Sequence, residues 1–344
     1  MKELEAPIKV GLIGCGGIAK AHFNAYLQLN HLFRITACCD VRKELAEQFA
    51  EQAGNAQVFT DYREMLRHAD IDAVGITLPH HLHADAAIAA AEAGKHIVVE
   101  KPMAMNLEEA RSMVDAAEKA SVTLMVAQTQ RYRDDHREIK RLLDDGSIGR
   151  VLYARASIDQ HLAAIRSPDN WLFKRALAGG GSVISIGVHM IDLLRWFVGE
   201  IVSVFAVERQ STINPGIDCE DVSVALLEFE NGAVGDLASL YAAKASPWGE
   251  LVLLYGTDGV IHNIGGWHIV SDKVTDWQGK FTQLNLTRGD PFRNELEHFG
   301  ECLLNGKEPL TSGRDNLKTM TVIDAIYLSA RERQRITTAE LLGH

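Results

Sequence analysis

Short apolar runs alternate with amphipathic or alanine-rich stretches over the first third of the chain. Runs with the composition of strands lie at 9–13, 33–39, 72–77, 96–99 and 123–127. Stretches with helical spacing lie between them at 43–53, 61–68, 82–93 and 107–120. Strands that alternate with helices build a doubly wound parallel sheet with both faces covered. We therefore predict an α/β domain of the Rossmann type over residues 1–127.

The pattern changes in the remainder of the chain, where most apolar runs read as strands. They lie at 151–158, 201–210, 222–229, 233–241, 250–255 and 260–264. Two connections, Asn231-Gly232 and Asp258-Gly259, are dipeptides typical of type I′ hairpins. We predict a second α/β domain at 128–344 with a large, mostly antiparallel open sheet and a helix near 183–197 on one face. A second copy of the same sheet could cover the other face, so we expect a homodimer or homotetramer.

Composition narrows the class of protein. The 344 residues exceed the size at which one core stops growing, and the net charge of −11 argues against nucleic acid or anionic membranes as partners. Small molecules are the expected ligands. We find no apolar leader and no stretch that reads as a membrane span, which predicts a cytoplasmic protein. The five cysteines lack C-x-x-C spacing and read as reduced core thiols.

A glycine motif directly follows the first strand. Its residues are Gly14, Cys15, Gly16, Gly17, Ile18 and Ala19, and a helical stretch runs on to Leu29. Gly14 permits a tight turn, Gly16 lets backbone N–H groups approach a pyrophosphate, and Ala19 allows close helix packing. The strand, turn and helix together favour a dinucleotide site over a turn that binds nothing.

Asp40 ends the second strand, where a carboxylate would accept hydrogen bonds from an adenosine ribose. Its charge would repel the 2′-phosphate of NADP. Arg42, two positions further on, could instead accommodate that phosphate. The sequence therefore favours NAD as cofactor and leaves NADP open.

Two further segments carry chemistry. Glu100-Lys101-Pro102 closes a buried strand, at the sheet edge where ligands of open parallel sheets bind, although a strand-end salt bridge is the alternative. Three glycines at 179–181 precede a helix on which Ser185, His189 and Asp192 would share a face, although a buried structural histidine is an alternative there. His80, His81 and His83 lack a further ligand at metal spacing, so we predict no metal site.

Over essentially its whole length the chain resembles the Gfo/Idh/MocA oxidoreductases, named after glucose–fructose oxidoreductase, inositol dehydrogenase and a rhizopine-catabolism protein. The resemblance rests on Gly14 to Ala19, on Thr77-Leu78-Pro79 with His83, on 93–96 leading to Glu100-Lys101-Pro102, on the triple glycine with His189 and Asp192, and on 295–299. It implies a Rossmann domain, an open-sheet domain, a nicotinamide cofactor, a cis Lys101–Pro102 bond, and oxidation or reduction of a sugar or cyclitol. Thr77, Pro79, His83 and Glu100 would then lie near the cofactor.

One position departs from the family pattern, because many members carry aspartate where this chain has Ser185. We assign His189 as general base and Lys101 as the group that holds the substrate oxygen, with Ser185 beside the base. Residues with the polar and aromatic character that polyols call for are further candidate substrate contacts: Arg131, Tyr132, Asp159, His161, Asn170, Trp171 and Asp192.

Three functions remain open from the sequence. The first is an NAD-dependent sugar or cyclitol dehydrogenase. The second is a non-redox glycosidase or epimerase that uses a retained NAD transiently, which would give a product with no net oxidation. The third is a cofactor-binding regulator, against which the presence of both Lys101 and His189 argues.

Overall fold

The computed structural model describes residues 4–342, which divide into two compact units. The first unit runs to Tyr132 and also contains Asp290–Leu317, and the second contains Arg133–Gly289 and the residues from Lys318 onward. A single boundary at residue 127 does not anticipate this return of the chain. Leu296 and Phe299, both fully buried, join the core of the first unit, which explains why the returning segment belongs there.

The first unit contains a parallel sheet of six strands. They are β1 (Ile8–Ile13), β2 (Phe33–Cys39), β3 (Gln57–Phe59), β4 (Ala73–Ile76), β5 (His96–Glu100) and β6 (Leu124–Ala127), in the spatial order β3-β2-β1-β4-β5-β6. Helices connect them: α1 (Ala19–Gln28), α2 (Lys43–Gln52), α3 (Tyr62–His68), α4 (His83–Glu92) and α5 (Leu107–Ala120). The predicted doubly wound fold is confirmed. The strand order reverses between β1 and β4, which places a ligand crevice at their carboxyl ends.

The second unit is built on a sheet of nine strands. Those up to Gln283 are β7 (Val151–Asp159), β8 (Ile201–Arg209), β9 (Val222–Phe229), β10 (Val234–Leu240), β11 (Glu250–Gly256), β12 (Gly259–His262), β13 (His268–Ser271) and β14 (Thr282–Gln283). The helices within the same stretch are α6 (Asp134–Asp144), α7 (Leu162–Ile165), α8 (Arg175–Ala178) and α9 (Val188–Val198). Only the central pair β7 and β10 is parallel among the pairings described, so the prediction of a mostly antiparallel sheet is confirmed.

The carboxyl-terminal part of the chain adds three helices and a strand, namely α10 (Pro291–Asn305), α11 (Gly313–Glu332), β15 (Ile336–Thr337) and α12 (Thr338–Leu342). Short sequence signals explain the bounds of α10. The Asp290 side chain caps its first turn, Pro291 stands where no N–H is needed, and Gly306 ends it in a left-handed conformation. The sequence did not predict α10 as a helix, although 295–299 was recognised as a motif.

The two predicted hairpins exist, but their turns differ from the type I′ prediction. A type I′ turn needs positive φ at both central residues. At Asn231-Gly232 only the glycine has positive φ, and the Asn231 side chain donates a hydrogen bond to the Val198 carbonyl at 2.7 Å. Asn231 is thus held by a side-chain contact and does not adopt the left-handed conformation of the expected turn. At Asp258-Gly259, neither residue has positive φ.

Residues 175–198 form a helical stretch that length and composition alone would allow to cross a membrane. The expectation that no stretch has the length and composition of a membrane span therefore does not hold for these residues. Of its most apolar window, 83% is buried inside the protein, so the stretch is a core element of the second unit. It contains the triple glycine, a π-helical turn at Val183–Gly187 and then α9.

Candidate active site

The glycine motif forms a tight turn at the carboxyl end of β1. Gly14 has φ +92°, and a Cβ there would lie 2.7 Å from the Thr77 carbonyl oxygen, so no other residue fits. The Thr77 hydroxyl donates to the Gly14 carbonyl at 2.8 Å and thereby joins the turns that follow β1 and β4. Thr77 thus shapes the turn, while Gly16 and Gly17 border open space.

Helix α1 begins directly after this turn and presents an uncapped amino terminus. Ile18 stands at its N-cap position and offers no side-chain hydrogen bond, and the first turn carries no acidic residue. The first N–H groups of a helix need acceptors, and the helix dipole favours an anion there. Together with the open surface at Gly16 and Gly17, this end of α1 fits the pyrophosphate of a dinucleotide.

Asp40 follows β2 beside the same turn. Its carboxylate accepts the Cys15 N–H at 2.8 Å and the Arg42 N–H at 2.9 Å, which fixes its orientation. The Arg42 side chain is exposed, and its Nε lies 3.6 Å from Asp40. The carboxylate is therefore positioned by the backbone, whereas the guanidinium is held only by a weak surface pair.

A buried charged cluster surrounds the end of β5. One Glu100 oxygen lies 2.7 Å from His22 Nε2, and the other accepts the backbone N–H of Lys101 at 3.1 Å. Burial alone would raise the pKa of Glu100, but the hydrogen bond and charge of His22 and the charge of Lys101 hold it below its ordinary value. Glu100 is therefore an anion at neutral pH.

Lys101 leads out of this cluster with a partly buried side chain. Burial lowers its pKa, and the Glu100 carboxylate opposes that effect. An amine in this setting can present a positive charge to a substrate oxygen. It can also lose its proton more readily than a surface lysine. The Lys101–Pro102 bond is cis, as the family resemblance implies.

His83 is fully buried at the start of α4. Its ring nitrogens lie 2.8 Å from the Pro102 carbonyl oxygen and 2.7 Å from that of Leu78. Burial lowers its pKa, against the effect of these two carbonyls. The ring thus connects the segment after β4, which contains Pro79, to the segment after Lys101. This is a role in positioning the loops at the sheet edge.

In the second unit, Glu220 holds the triple glycine. Its carboxylate accepts the backbone N–H groups of Gly181 at 2.9 Å and Val183 at 3.1 Å, and the Tyr327 hydroxyl at 3.0 Å. A Cβ at Gly181 would lie 1.7 Å from the Glu220 carbonyl oxygen, and one at Gly180 would lie 2.0 Å from the Tyr327 hydroxyl. The glycines are therefore required for close packing at the start of the helix that carries His189.

Ser185 lies within the π-helical turn, and His189 lies in the first turn of α9. The predicted regular helix through both residues is replaced by a wider turn, which changes the expected i,i+4 alignment. Ser185 is buried, and its hydroxyl opposes the rise in the pKa of Tyr241 that burial causes. His189 is partly exposed, as a proton acceptor requires.

Asp192 has a different environment from His189 although both belong to α9. It is fully buried, accepts the Thr319 hydroxyl at 3.2 Å and lies 3.8 Å from the Arg195 guanidinium. These contacts describe a core ion pair of the second unit. Its assignment as a substrate contact stays a prediction that the geometry does not favour.

The predicted contacts in the first turn after β6 are also structural. Arg131 pairs with Asp315 at 3.0 Å, and the Tyr132 hydroxyl lies 3.1 Å from that of Thr311. Tyr132 has no exposed surface, and Arg131 has 3%. Both side chains therefore stabilise the returning segment of the first unit, and neither offers the accessible surface expected of a substrate contact.

Asp159 and His161 lie together at the carboxyl end of β7, in the second unit. Asp159 accepts the Ser246 hydroxyl at 2.9 Å through one oxygen, and His161 forms a bridge with Ala242. Asp159 also borders a polar cavity of about 410 Å³, whose other lining residues are Arg133, Ile158, Gln160, Trp248, Gly249, Glu250, Asn263 and Arg288. Asn170 caps the short turn that carries Trp171, and both are partly exposed.

Sequence reasoning missed two residues that position the site. His22 could have been found, since it is a polar position on the buried face of α1 between Ala19 and Tyr26. Glu220 could not, because nothing in the acidic run at 218–221 indicates that one carboxylate bonds a glycine turn 39 positions earlier.

The fold, the groups around the glycine turn and Lys101 in the first unit, and those around His189 in the second define a class of protein. This class is the nicotinamide-dependent oxidoreductases with a Rossmann domain. Residues 8–128 match the model of an oxidoreductase family with an NAD-binding Rossmann fold, GFO_IDH_MocA, and residues 136–262 match a GFO/IDH/MocA carboxyl-terminal domain. The chain belongs to the Gfo/Idh/MocA family, and its first unit is an NAD-binding domain.

Known relatives of this chain include sugar and cyclitol dehydrogenases. It is 34% identical to levoglucosan dehydrogenase from Pseudarthrobacter phenanthrenivorans over 74% of this chain and 73% of the relative. It is 28% identical to scyllo-inositol 2-dehydrogenase (NAD(+)) from Bacillus subtilis, over 91% of each. The structure of levoglucosan dehydrogenase in complex with NADH and levoglucosan matches with a TM-score of 0.88 and 29% identity, covering 96% of this chain and 99% of the other.

Proposed function

We propose that this protein is an NAD-dependent dehydrogenase that oxidises a hydroxyl of a sugar or cyclitol, or reduces the corresponding carbonyl. The observation that carries the proposal is the buried His22–Glu100 pair at the exit of β5, since Glu100 supports the charge of Lys101 and His22 belongs to α1, the helix that follows the glycine turn. The sugar and cyclitol activities named for relatives support the substrate class. The fold alone would not, because one fold serves many reactions.

Bound NAD would supply a hydride acceptor at C4 of its nicotinamide. Lys101 would bind the substrate oxygen and stabilise the negative charge that develops on it. His189 would accept the proton of the hydroxyl group, since it is a partly exposed imidazole at the start of α9. Ser185 would affect the position of the first turn of α9, which carries the base His189.

Recognition of a polyol needs several convergent polar groups and an aromatic surface. We propose that Asp159, His161, Asn170 and Trp171 contribute to it. The polar cavity beside Asp159, with the half-exposed Trp248 at its edge, supports this proposal. The retained-NAD alternative has no specific observation in its favour.

We also propose that the protein acts as a homodimer or homotetramer in the cytoplasm. The open face of the nine-stranded sheet carries apolar side chains in register, with Phe205 opposite Leu226 and Val207 opposite Val224. Leu226 is 60% exposed, and its neighbours are 41% to 45% exposed. A contiguous apolar patch of this kind favours burial against a second copy. Light scattering on the wild type and Leu226→Lys would test it, since the charge should shift the mass towards the monomer.

The substrate class is tested by following NADH absorbance in a screen of sugars, anhydrosugars, sugar acids and inositols. We expect one or a few polyols to be oxidised with catalytic efficiency well above the rest, with NAD preferred to NADP. Absence of NADH formation with all of them, combined with NAD that stays bound through gel filtration and conversion of a sugar without net oxidation, would support the retained-NAD alternative instead.

A further inference from the structure

Helix α10 carries a carboxyl group that the mechanism above does not use. Glu295 has no exposed surface, and neither of its side-chain oxygens has a hydrogen-bond partner among the described residues. An ionised carboxylate in such a place would cost far more than one paired with a cation. The protonated form is therefore the one that this site favours, and burial together with the nearby Glu100 raises the pKa of Glu295 well above its ordinary value.

The groups around Glu295 come from elements of the first unit. Helix α1 packs against α10, with the His22 ring in edge contact with Phe292 at 5.2 Å between centroids. Tyr26, one helical turn after His22, is also fully buried, and its hydroxyl has no hydrogen-bond partner among residues 4–342. The buried titratable groups on the packed elements are His22 and Tyr26 on α1 and Arg131 and Tyr132 after β6, and Glu100 at the exit of β5 is close enough to interact with Glu295.

His22 connects this region to Lys101. On α1 it faces α10 through its contact with Phe292, and it lies 2.7 Å from the Glu100 carboxylate, whose second oxygen accepts the Lys101 N–H. Two buried carboxyl groups, Glu295 and Glu100, are thus close enough to interact, and Glu100 adjoins the lysine that we assign to the reaction. Two close carboxyls in a dry environment share protons, because both cannot ionise without repulsion.

We propose that Glu295 is a positioning residue that holds a proton and so keeps Glu100 as the single buried anion beside Lys101. The proposal rests on the assigned role of Lys101. While Glu295 is neutral, Glu100 is the carboxylate whose charge opposes the effect of burial on Lys101. When Glu295 ionises at alkaline pH, a second negative charge enters the cluster and Lys101 retains its proton to higher pH.

The proposal has a consequence for stability that is independent of catalysis. A carboxyl whose pKa is higher in the folded than in the unfolded chain binds its proton more tightly when folded. Stability then falls as pH rises from about 4.3, the unfolded value for glutamate, towards the folded value. A permanently neutral side chain at position 295 removes this loss.

The experiment compares wild type with Glu295→Gln, and uses Glu297→Gln as control because Glu297 is a more accessible carboxylate on the same helix, paired with Arg293 at 3.0 Å. We expect the thermal midpoint of Glu295→Gln minus that of the wild type to increase by roughly 5 °C or more from pH 5 to pH 9. We expect kcat/KM at pH 7 within about threefold of wild type and an alkaline limb moved to lower pH by about half a unit or more. The control should change neither.

A thermal-midpoint difference that stays constant from pH 5 to pH 9 would show that Glu295 is ionised in the folded protein and would overturn the proposal. An unmoved alkaline limb with the expected stability change would overturn the link to Lys101. A failure of the proposed function gives a different result. In that case Lys101→Ala would keep the activity of the wild type, and the stability result for Glu295→Gln would be unchanged.

Discussion

The two units position their chemical groups in different ways. In the first, Gly14, Asp40, Thr77 and Lys101 all follow the carboxyl ends of parallel strands, and the sheet order brings those ends together. In the second, His189 depends on a helix start that one buried carboxylate, Glu220, holds through several hydrogen bonds. The first arrangement uses regular backbone geometry, and the second uses a single side chain that is remote in sequence.

This difference predicts different sensitivities. A site made by strand ends should keep its geometry when one side chain is removed. It should lose only the chemistry of that side chain. A site held by one buried carboxylate should lose position and stability together when that carboxylate is removed. The following variants test whether the contrast holds.

The largest effect is expected for Lys101→Ala. We expect kcat/KM to fall by about 10³ or more, because the change removes the ammonium that would stabilise the charge on the substrate oxygen. NAD affinity should stay within a few fold, since the glycine turn and Asp40 are unchanged. Steady-state kinetics and calorimetric titration with NAD measure the two quantities, and exposed Lys280→Ala serves as control. A matching loss of NAD affinity would make Lys101 a structural residue.

His189→Ala should lower kcat/KM by about 10²–10⁴, the usual range for a positioned base, and Ser185→Ala should cost far less. Ser185→Asp would add a carboxylate near the imidazole and favour its charged form, so the acidic limb of the kcat/KM profile should move to higher pH. If Ser185→Ala is as damaging as Lys101→Ala, the serine hydroxyl belongs to the proton path.

Glu220→Ala tests the positioning of the second unit directly. It leaves the N–H groups of Gly181 and Val183 and the Tyr327 hydroxyl without their acceptor, so we expect a loss of about 2–5 kcal/mol in the free energy of unfolding. The rate should fall by roughly 10–100-fold, mainly in kcat. Urea unfolding and kinetics provide the readouts, with exposed Glu230→Ala as control. Full activity in a destabilised variant would separate Glu220 from the position of His189.

Asp40→Ala and Asp40→Asn should have the smallest effect, on cofactor choice. Loss of hydrogen bonds to the ribose should weaken NAD by about 10-fold, while loss of negative charge should favour NADP, so the preference narrows or reverses. KM values for both cofactors measure it. A wild type that already prefers NADP would mean that Arg42 dominates over Asp40.

Much of the first unit was predictable because its signals are local. Alternating strands and helices, the glycine motif and Asp40 each follow from short segments, and parallel strands bring their carboxyl ends together whatever the loops contain. The sequence therefore determined the fold class, the nicotinamide cofactor and the position of Lys101 at a strand exit. In the second domain it determined the sheet and its hairpin pairings, since alternation and turn dipeptides act over few residues.

Tertiary structure decided what depends on contacts between distant segments. The return of 290–317 to the first unit, the unpaired burial of Glu295 and the hold of Glu220 on the triple glycine leave no local signature, because each is a matter of which surfaces meet after folding. Burial also decided that Tyr132, Arg131 and Asp192 are core residues. A polar residue in a motif looks the same in sequence whether it faces a substrate or a neighbouring helix, and only packing distinguishes the two.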